Sequence, residues 1–187
     1  MVHSWLQGAP ILRVLLLRVL KSRLAPLLCL IFALTAAATP AHGQTLLTAP
    51  EAAKLLPETV FFRGQVAGVQ GRNSGGLKLA DGMLVLCALV DNSGYSTALQ
   101  QKYQAYFITE VPLDIAGQTL KPGAYGVGFV EGSKFVVMDV GAHDLLTTAG
   151  GHDTALKRPT PLQVLPDSAS NRFRLYINRN YVVFSLH

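Results

Sequence analysis

"ADGMLVLCALVDNSG", residues 80–94, holds eight apolar residues in a row, Met83 to Val90, between two turn signals. The run is short for a helix. It has no polar side, so it reads as a central strand covered on both faces. Asp81-Gly82 before it supplies the left-handed backbone that a tight hairpin needs. After it, Asp91, Asn92, Ser93 and Gly94 supply the side chains and the glycine of a longer turn. Cys87 sits inside the run, and its thiol is expected to be buried and inert.

The same reading extends outward. Alternating or apolar segments predict strands over residues 60–66, 76–80, 104–111, 124–130, 134–140, 162–165, 172–177 and 181–186. Gly, Pro, Asn and Asp clusters separate them, as in "KPGA", "VEGSK" and "NRN". Many short strands with such punctuation point to an all-β fold, an antiparallel β-sandwich or barrel with one or two short helices. One helix is expected over residues 49–56, opened by a Thr48/Glu51 capping box and stopped by Pro57. A second is expected over residues 96–102, with Ser96 as its cap.

Two strands can be read face by face. In "RFRLYIN", Phe173, Leu175 and Ile177 share one face and Arg172, Arg174 and Tyr176 the other, the pattern of a half-exposed strand. In "AYGVGFV", Tyr125, Val127 and Phe129 share a face, and the opposite face is smooth, with Gly126 and Gly128. Glycines there call for something that approaches closely, and the protein's own aromatic rings are the simplest candidate.

The first 43 residues read as a signal peptide. Arg13, Arg18, Lys21 and Arg23 precede a 15-residue apolar run from Leu24 to Ala38, small residues follow, and no acid appears before Glu51. The run is short for a membrane span, which needs about 20 residues. An uncleaved anchor and a transit peptide are the alternatives, and the residues before Cys29 do not suit lipidation. Residues 44–58 then form a short helix and lead-in, and residues 59–187 the β-domain. The chain carries 16 Lys and Arg against 11 Asp and Glu. Four of those cations lie before Gln44, which leaves 12 against 11, a net charge of +1. That balance argues against nucleic acid as a partner, which demands a basic patch. No membrane span is expected after signal removal, and with Cys29 gone Cys87 has no disulfide partner. The destination is periplasmic or extracellular.

Two places could carry chemistry. His143-Asp144 and His152-Asp153 stand on either side of Gly150-Gly151, the centre of an expected irregular stretch from Leu145 to Thr160. A metal centre would need a third ligand, and the nine-residue spacing of the histidines selects none. Asp beside His in a Gly-rich segment also serves as an ordinary turn-former. Tyr95, Tyr103 and Tyr106, with Tyr125, are the other candidates, as a shallow ligand-binding face of rings with polar tips. No cofactor is implied, and no nucleophile elbow or phosphate-binding loop is present.

The stretch from Ile108 to Gly141 resembles a family of bacterial exported β-proteins described as a domain of unknown function. Leu113, Ile115, Gly117, Leu120, Pro122, Gly123 and Tyr125 carry the likeness: a strand, a Pro-Gly turn, and re-entry at Tyr. The resemblance implies export and a β-sandwich, and it carries over no catalytic residue. The expected function is that of a non-catalytic binding or structural module of the cell envelope or extracellular space. Its partner would be a small ligand, a glycan or an envelope protein. The alternative is a small metal-dependent or hydrolytic enzyme built on His143 and His152.

Overall fold

The apolar run at the centre of the sequence becomes the centre of a sheet. The computed structural model describes residues 43–186, so the expected signal peptide, apart from Gly43, lies outside the described residues. In chain order the elements are β1 (Thr45–Leu47), α1 (Ala49–Ala53), β2 (Thr59–Phe62), β3 (Gln65–Lys78), β4 (Leu84–Val90), α2 (Thr97–Lys102) and β5 (Ala105–Thr109). They continue with β6 (Leu113–Ile115), β7 (Gln118–Leu120), β8 (Gly123–Val130), a 3-10 turn (Glu131–Ser133), β9 (Lys134–Met138) and β10 (Asp144–Ala149). The last four are β11 (Gly151–His152), β12 (Leu162–Pro166), β13 (Arg172–Ile177) and β14 (Asn180–Leu186). No helix among the described residues is long and apolar enough to cross a membrane.

Two antiparallel sheets pack face to face as a sandwich. The first runs β1-β3-β4-β5-β8-β9-β10, with β2 attached to β3. The second runs β12-β13-β14-β6-β7, with β11 also on β14. Strand alternation sends Val85 and Cys87 of β4, Val127 and Phe129 of β8, Phe173, Leu175 and Ile177 of β13, and Val182 and Phe184 of β14 into one shared core. Each such side chain, fully buried, contributes roughly 1.5–3 kcal/mol. Burial pushes the Cys87 thiol far up from its ordinary pKa, so it stays protonated.

The outer face of the first sheet is covered as well, which is why β4 needs apolar residues on both sides. Leu86 and Ala88 pack under Ala52 and Leu56. The Glu51 carboxylate accepts the Thr48 backbone N–H at 2.8 Å and its hydroxyl at 2.6 Å, closing the start of α1. Further along, the β2–β3 hairpin folds over Gly126. Phe62 stacks on Tyr103 with ring centroids 3.8 Å apart, and a Cβ at Gly126 would lie 2.5 Å from the Phe62 ring. Of the smooth glycine strip of β8, Gly126 is thus covered by the protein's own aromatics, whereas Gly128 is met by the Lys102 backbone and the Gln104 side chain.

Several local expectations are corrected. Residues 60–66 are not one strand. The chain reverses at Arg63-Gly64, both at positive φ (46° and 79°), and Phe61 pairs with Val66. A two-residue hairpin preserves the alternation on either side, so the period alone does not reveal it. The segment expected at 76–80 is the end of a 14-residue strand, β3, whose register slips between Val69 and Ser74. The helix expected over 49–56 closes at Ala53, and residues 45–47, read as lead-in, pair with β3. Tyr176, expected on a half-exposed face, is 2% exposed.

The largest correction is the stretch from Leu145 to Thr160. Its first part is not irregular: β10 pairs with β9 in the first sheet, and two residues later β11 pairs with β14 in the second. The chain crosses between sheets at Gly150. A Cβ there would lie 2.5 Å from the Ser133 carbonyl oxygen and 2.6 Å from the Phe129 ring, so only glycine fits. Strands that switch sheets form the corners of such sandwiches. Gly150→Ala is expected to lower unfolding free energy by about 1–3 kcal/mol in urea titration, because backbone and ring must both give way. A variant as stable as the parent would show that the crossing is looser than described.

Candidate functional site

The β13–β14 hairpin builds one polar surface. Its two-residue loop, Asn178-Arg179, has Asn178 at φ 56° and is closed by the Ile177 and Asn180 pair. That register brings Tyr176 opposite Tyr181, Arg174 opposite Val183, and Arg172 opposite Ser185 on the outer face of the second sheet. On the next strand, Asp114 of β6 lies opposite Ser185, while its neighbours Leu113 and Ile115 enter the core.

A network fixes these side chains. Arg174 donates to Asp167 Oδ1 from Nε at 2.8 Å and lies within 2.7 Å of it through Nη2; Arg172 Nε lies 3.4 Å from Asp167 Oδ2. The Tyr176 hydroxyl donates to Asp153 Oδ2 at 3.0 Å. The Arg174 guanidinium carbon sits 4.6 Å from the Tyr181 ring centroid, a cation–π contact. That ring leans over Gly151, where a Cβ would lie 2.3 Å from it. Arg179 Nη1 ties down the segment after β11, donating to the carbonyls of Asp153, Thr154 and Leu156 at 3.0–3.1 Å. Burial raises the Tyr176 hydroxyl pKa. The Ser168 amide and the Arg174 guanidinium hold the Asp167 carboxyl below the usual carboxylate range.

Beside this network the second sheet has a gap. On the same side of β14, β11 pairs with Asn180 and Tyr181, and β6 pairs with Phe184, Ser185 and Leu186. Among the described residues Val182 and Val183 have no cross-strand partner there. The Asp153 N–H bonds to the Arg179 carbonyl on the β11 side, and the Leu186 N–H to the Asn171 carbonyl on the β13 side. By antiparallel alternation, the backbone groups of Tyr181, Val183 and Ser185 therefore face β11 and β6, and those of Val183 face the gap. The result is a cleft of about 460 Å³, lined by Asp114, Gly117, Ala149, Arg172, Tyr181 and Ser185 among others. Two other hollows carry less chemistry. One of about 680 Å³ near Leu79, Val111 and Leu186 has Asp81 as its ionisable group, and one of about 330 Å³ is lined by Asn and Gln amides and apolar groups.

The residues singled out from sequence lie elsewhere or serve other ends. His143 Nδ1 is 2.9 Å from Asp139 Oδ2, within the turn that enters β10. His152 Nδ1 is 2.7 Å from Asn180 Oδ1. Asp144 pairs with Lys102 at 2.6 Å, and Asp153 Oδ1 accepts the Ala155 amide while its other oxygen takes Tyr176. The two histidines thus have separate partners. Among the described residues no three or more His, Cys, Asp or Glu side chains gather as a metal would require.

The four tyrosines do not share an exposed face. Tyr95 and Tyr103 are buried with Phe62, and the Tyr95 hydroxyl donates to the Phe62 carbonyl at 3.0 Å. Burial raises the pKa of the Tyr103 hydroxyl, which has no hydrogen-bond partner among the described residues. Tyr106 is half-buried on that side, whereas Tyr125 points into the inter-sheet core and donates to the Lys121 carbonyl at 2.8 Å. Of the residues that line the cleft, Arg172 was visible in sequence only as part of a polar strand face. Asp114, Tyr181 and Ser185 gave no local signal.

Comparison with protein-family models, curated proteins and solved structures finds no match.

The network predicts an acid response. A carboxyl held below its unfolded value contributes stability above the ordinary aspartate pKa of about 3.9, and that contribution is lost as pH falls through the lower folded value. Asp167→Asn should therefore lower the melting temperature at pH 7, and the difference from the parent should close on acidification below about pH 4. Thermal unfolding across that range measures it; parallel curves with a constant gap would remove Asp167 from the account.

Proposed function

We propose that this chain is an exported, non-catalytic binding module that takes a small polar ligand in the cleft beside Val182 and Val183. One observation carries the reading: the pairing of β14 is interrupted where Arg172, Asp114, Ser185 and Tyr181 meet, and a hydrogen-bonded network holds the wall. Pre-held polar groups around a concavity suit selective binding, because little side-chain entropy is lost on contact. The N-terminal basic and apolar segment supports export, and the mature charge balance supports a partner other than nucleic acid.

Among the partners considered, a small ligand fits best. The Tyr181 ring meets Arg174 and covers Gly151, so it is not offered as a platform for stacking a sugar. The enzyme alternative draws no support from His143 and His152, each engaged with a different neighbour.

Amide spectra recorded against a panel of monosaccharides, polyols, free amino acids and dipeptides test this. At least one probe should shift Arg172, Val183 and Ser185 saturably while leaving the Tyr95 and Tyr103 region unmoved. Saturable shifts confined to another part of the surface, or none at all, would contradict the proposal.

A further inference from the structure

The cleft has a charge pattern that narrows its ligand. Arg172, Ser185 and Asp114 stand in one row across β13, β14 and β6, all on the outer face. Adjacent strands are about 4.8 Å apart, so the two charged residues start about 10 Å apart at their Cα atoms, with the serine between them. Arg172 is half-exposed, and Asp167 contacts it through Nε at 3.4 Å, leaving the guanidinium end on the cleft. On the other flank Asp114 takes the Gly117 amide on Oδ1 at 3.1 Å, which positions the carboxylate at the β6–β7 turn.

From this arrangement we infer that the cleft recognises a small zwitterion, a free amino acid or dipeptide, with its carboxylate toward Arg172 and its ammonium toward Asp114. The inference rests on the cleft being the binding site. A guanidinium binds a carboxylate through parallel N–H donors, and a carboxylate accepts from an ammonium; each is a charge-assisted bond, stronger than a neutral one. A simple anion would meet the Asp114 charge and a simple cation that of Arg172, whereas a ligand bearing both satisfies both. The Ser185 hydroxyl lies between the two charges, where the peptide unit of a dipeptide would sit, and the backbone groups of Val183 face the gap two residues along β14.

Glycylglycine tests this, titrated into the folded domain while amide shifts are followed. N-acetylglycinamide serves as the uncharged control, and acetate, methylammonium and glucose as separate probes. Glycylglycine should shift Arg172, Val183 and Ser185 saturably. N-acetylglycinamide, acetate and methylammonium should each bind at least about tenfold more weakly, as loss of a charge-assisted bond implies. Arg172→Gln and Asp114→Asn should each weaken glycylglycine by a similar factor, with the remaining spectrum reporting that the fold is kept. Equal binding of the uncharged control would overturn the inference without reference to either variant. Glucose shifting the same amides while glycylglycine does not would overturn the zwitterion and leave the binding cleft standing. If none of these probes moves them, this inference falls and the broader panel decides the binding reading.

Discussion

The cleft in this sandwich follows from a lack of room at Gly150. There the chain leaves the first sheet and enters the second, hemmed by the Ser133 carbonyl and the Phe129 ring, with the Gly150 amide bonded back to that carbonyl at 2.9 Å. A side chain cannot be accommodated, so the crossing is tight and occurs at one place. Because the chain stays paired in the first sheet through Ala149, its pairing with β14 begins only at Gly151, opposite Tyr181. Strand β6 approaches the same side from the other end. Two short strands sharing one edge leave Val182 and Val183 between them, and the cleft is that interval.

The surface around the interval is stiff for reasons that differ from those of the core. The core is held by area, with Phe173, Leu175, Val182 and Phe184 interleaved from adjacent strands. The outer face is held by paired charge: the Asp167 side chain, 6% exposed, faces two guanidiniums. Removing one member of such a set leaves the others poorly solvated, so the group acts as a unit. Tyr176 and Arg179 extend it to the segment after β11. The segment after β11 is thereby attached to the hairpin that forms the floor of the cleft, which suits a site selecting by position more than by closure.

The fold was legible where the information is local. The apolar run at β4 is covered on both faces, and Phe173, Leu175 and Ile177 of β13 face the core, as expected. The opposite face of β13 is less exposed than its alternation suggests, with Tyr176 buried, and of Gly126 and Gly128 in β8 only Gly126 lies under aromatic rings. The capping residues Thr48 and Glu51 were equally readable. What sequence does not carry is register between distant strands. Nothing near Asp114 indicates that Ser185 and Arg172 will lie beside it, because that row is made by pairing across some seventy residues. The histidines drew attention through their repeated neighbours, yet the repeat marks only the two sides of a crossing, His143 entering β10 and His152 leaving in β11. The tyrosines misled in the opposite way. Their polar tips suggested a surface, but the β2–β3 hairpin, invisible until Arg63-Gly64 is seen to turn, covers Tyr95 and Tyr103, and Tyr125 enters the inter-sheet core.

The interrupted pairing of β14 is most directly tested by amide hydrogen exchange, residue by residue along that strand. Tyr181 and Ser185 face β11 and β6, Val182 and Phe184 face β13, and Val183 alone in this stretch faces the open interval. The Val183 amide is expected to exchange well ahead of its neighbours on both sides. Protection of Val183 equal to that of Tyr181 and Ser185 would mean that the strand is paired throughout, and the cleft would not exist.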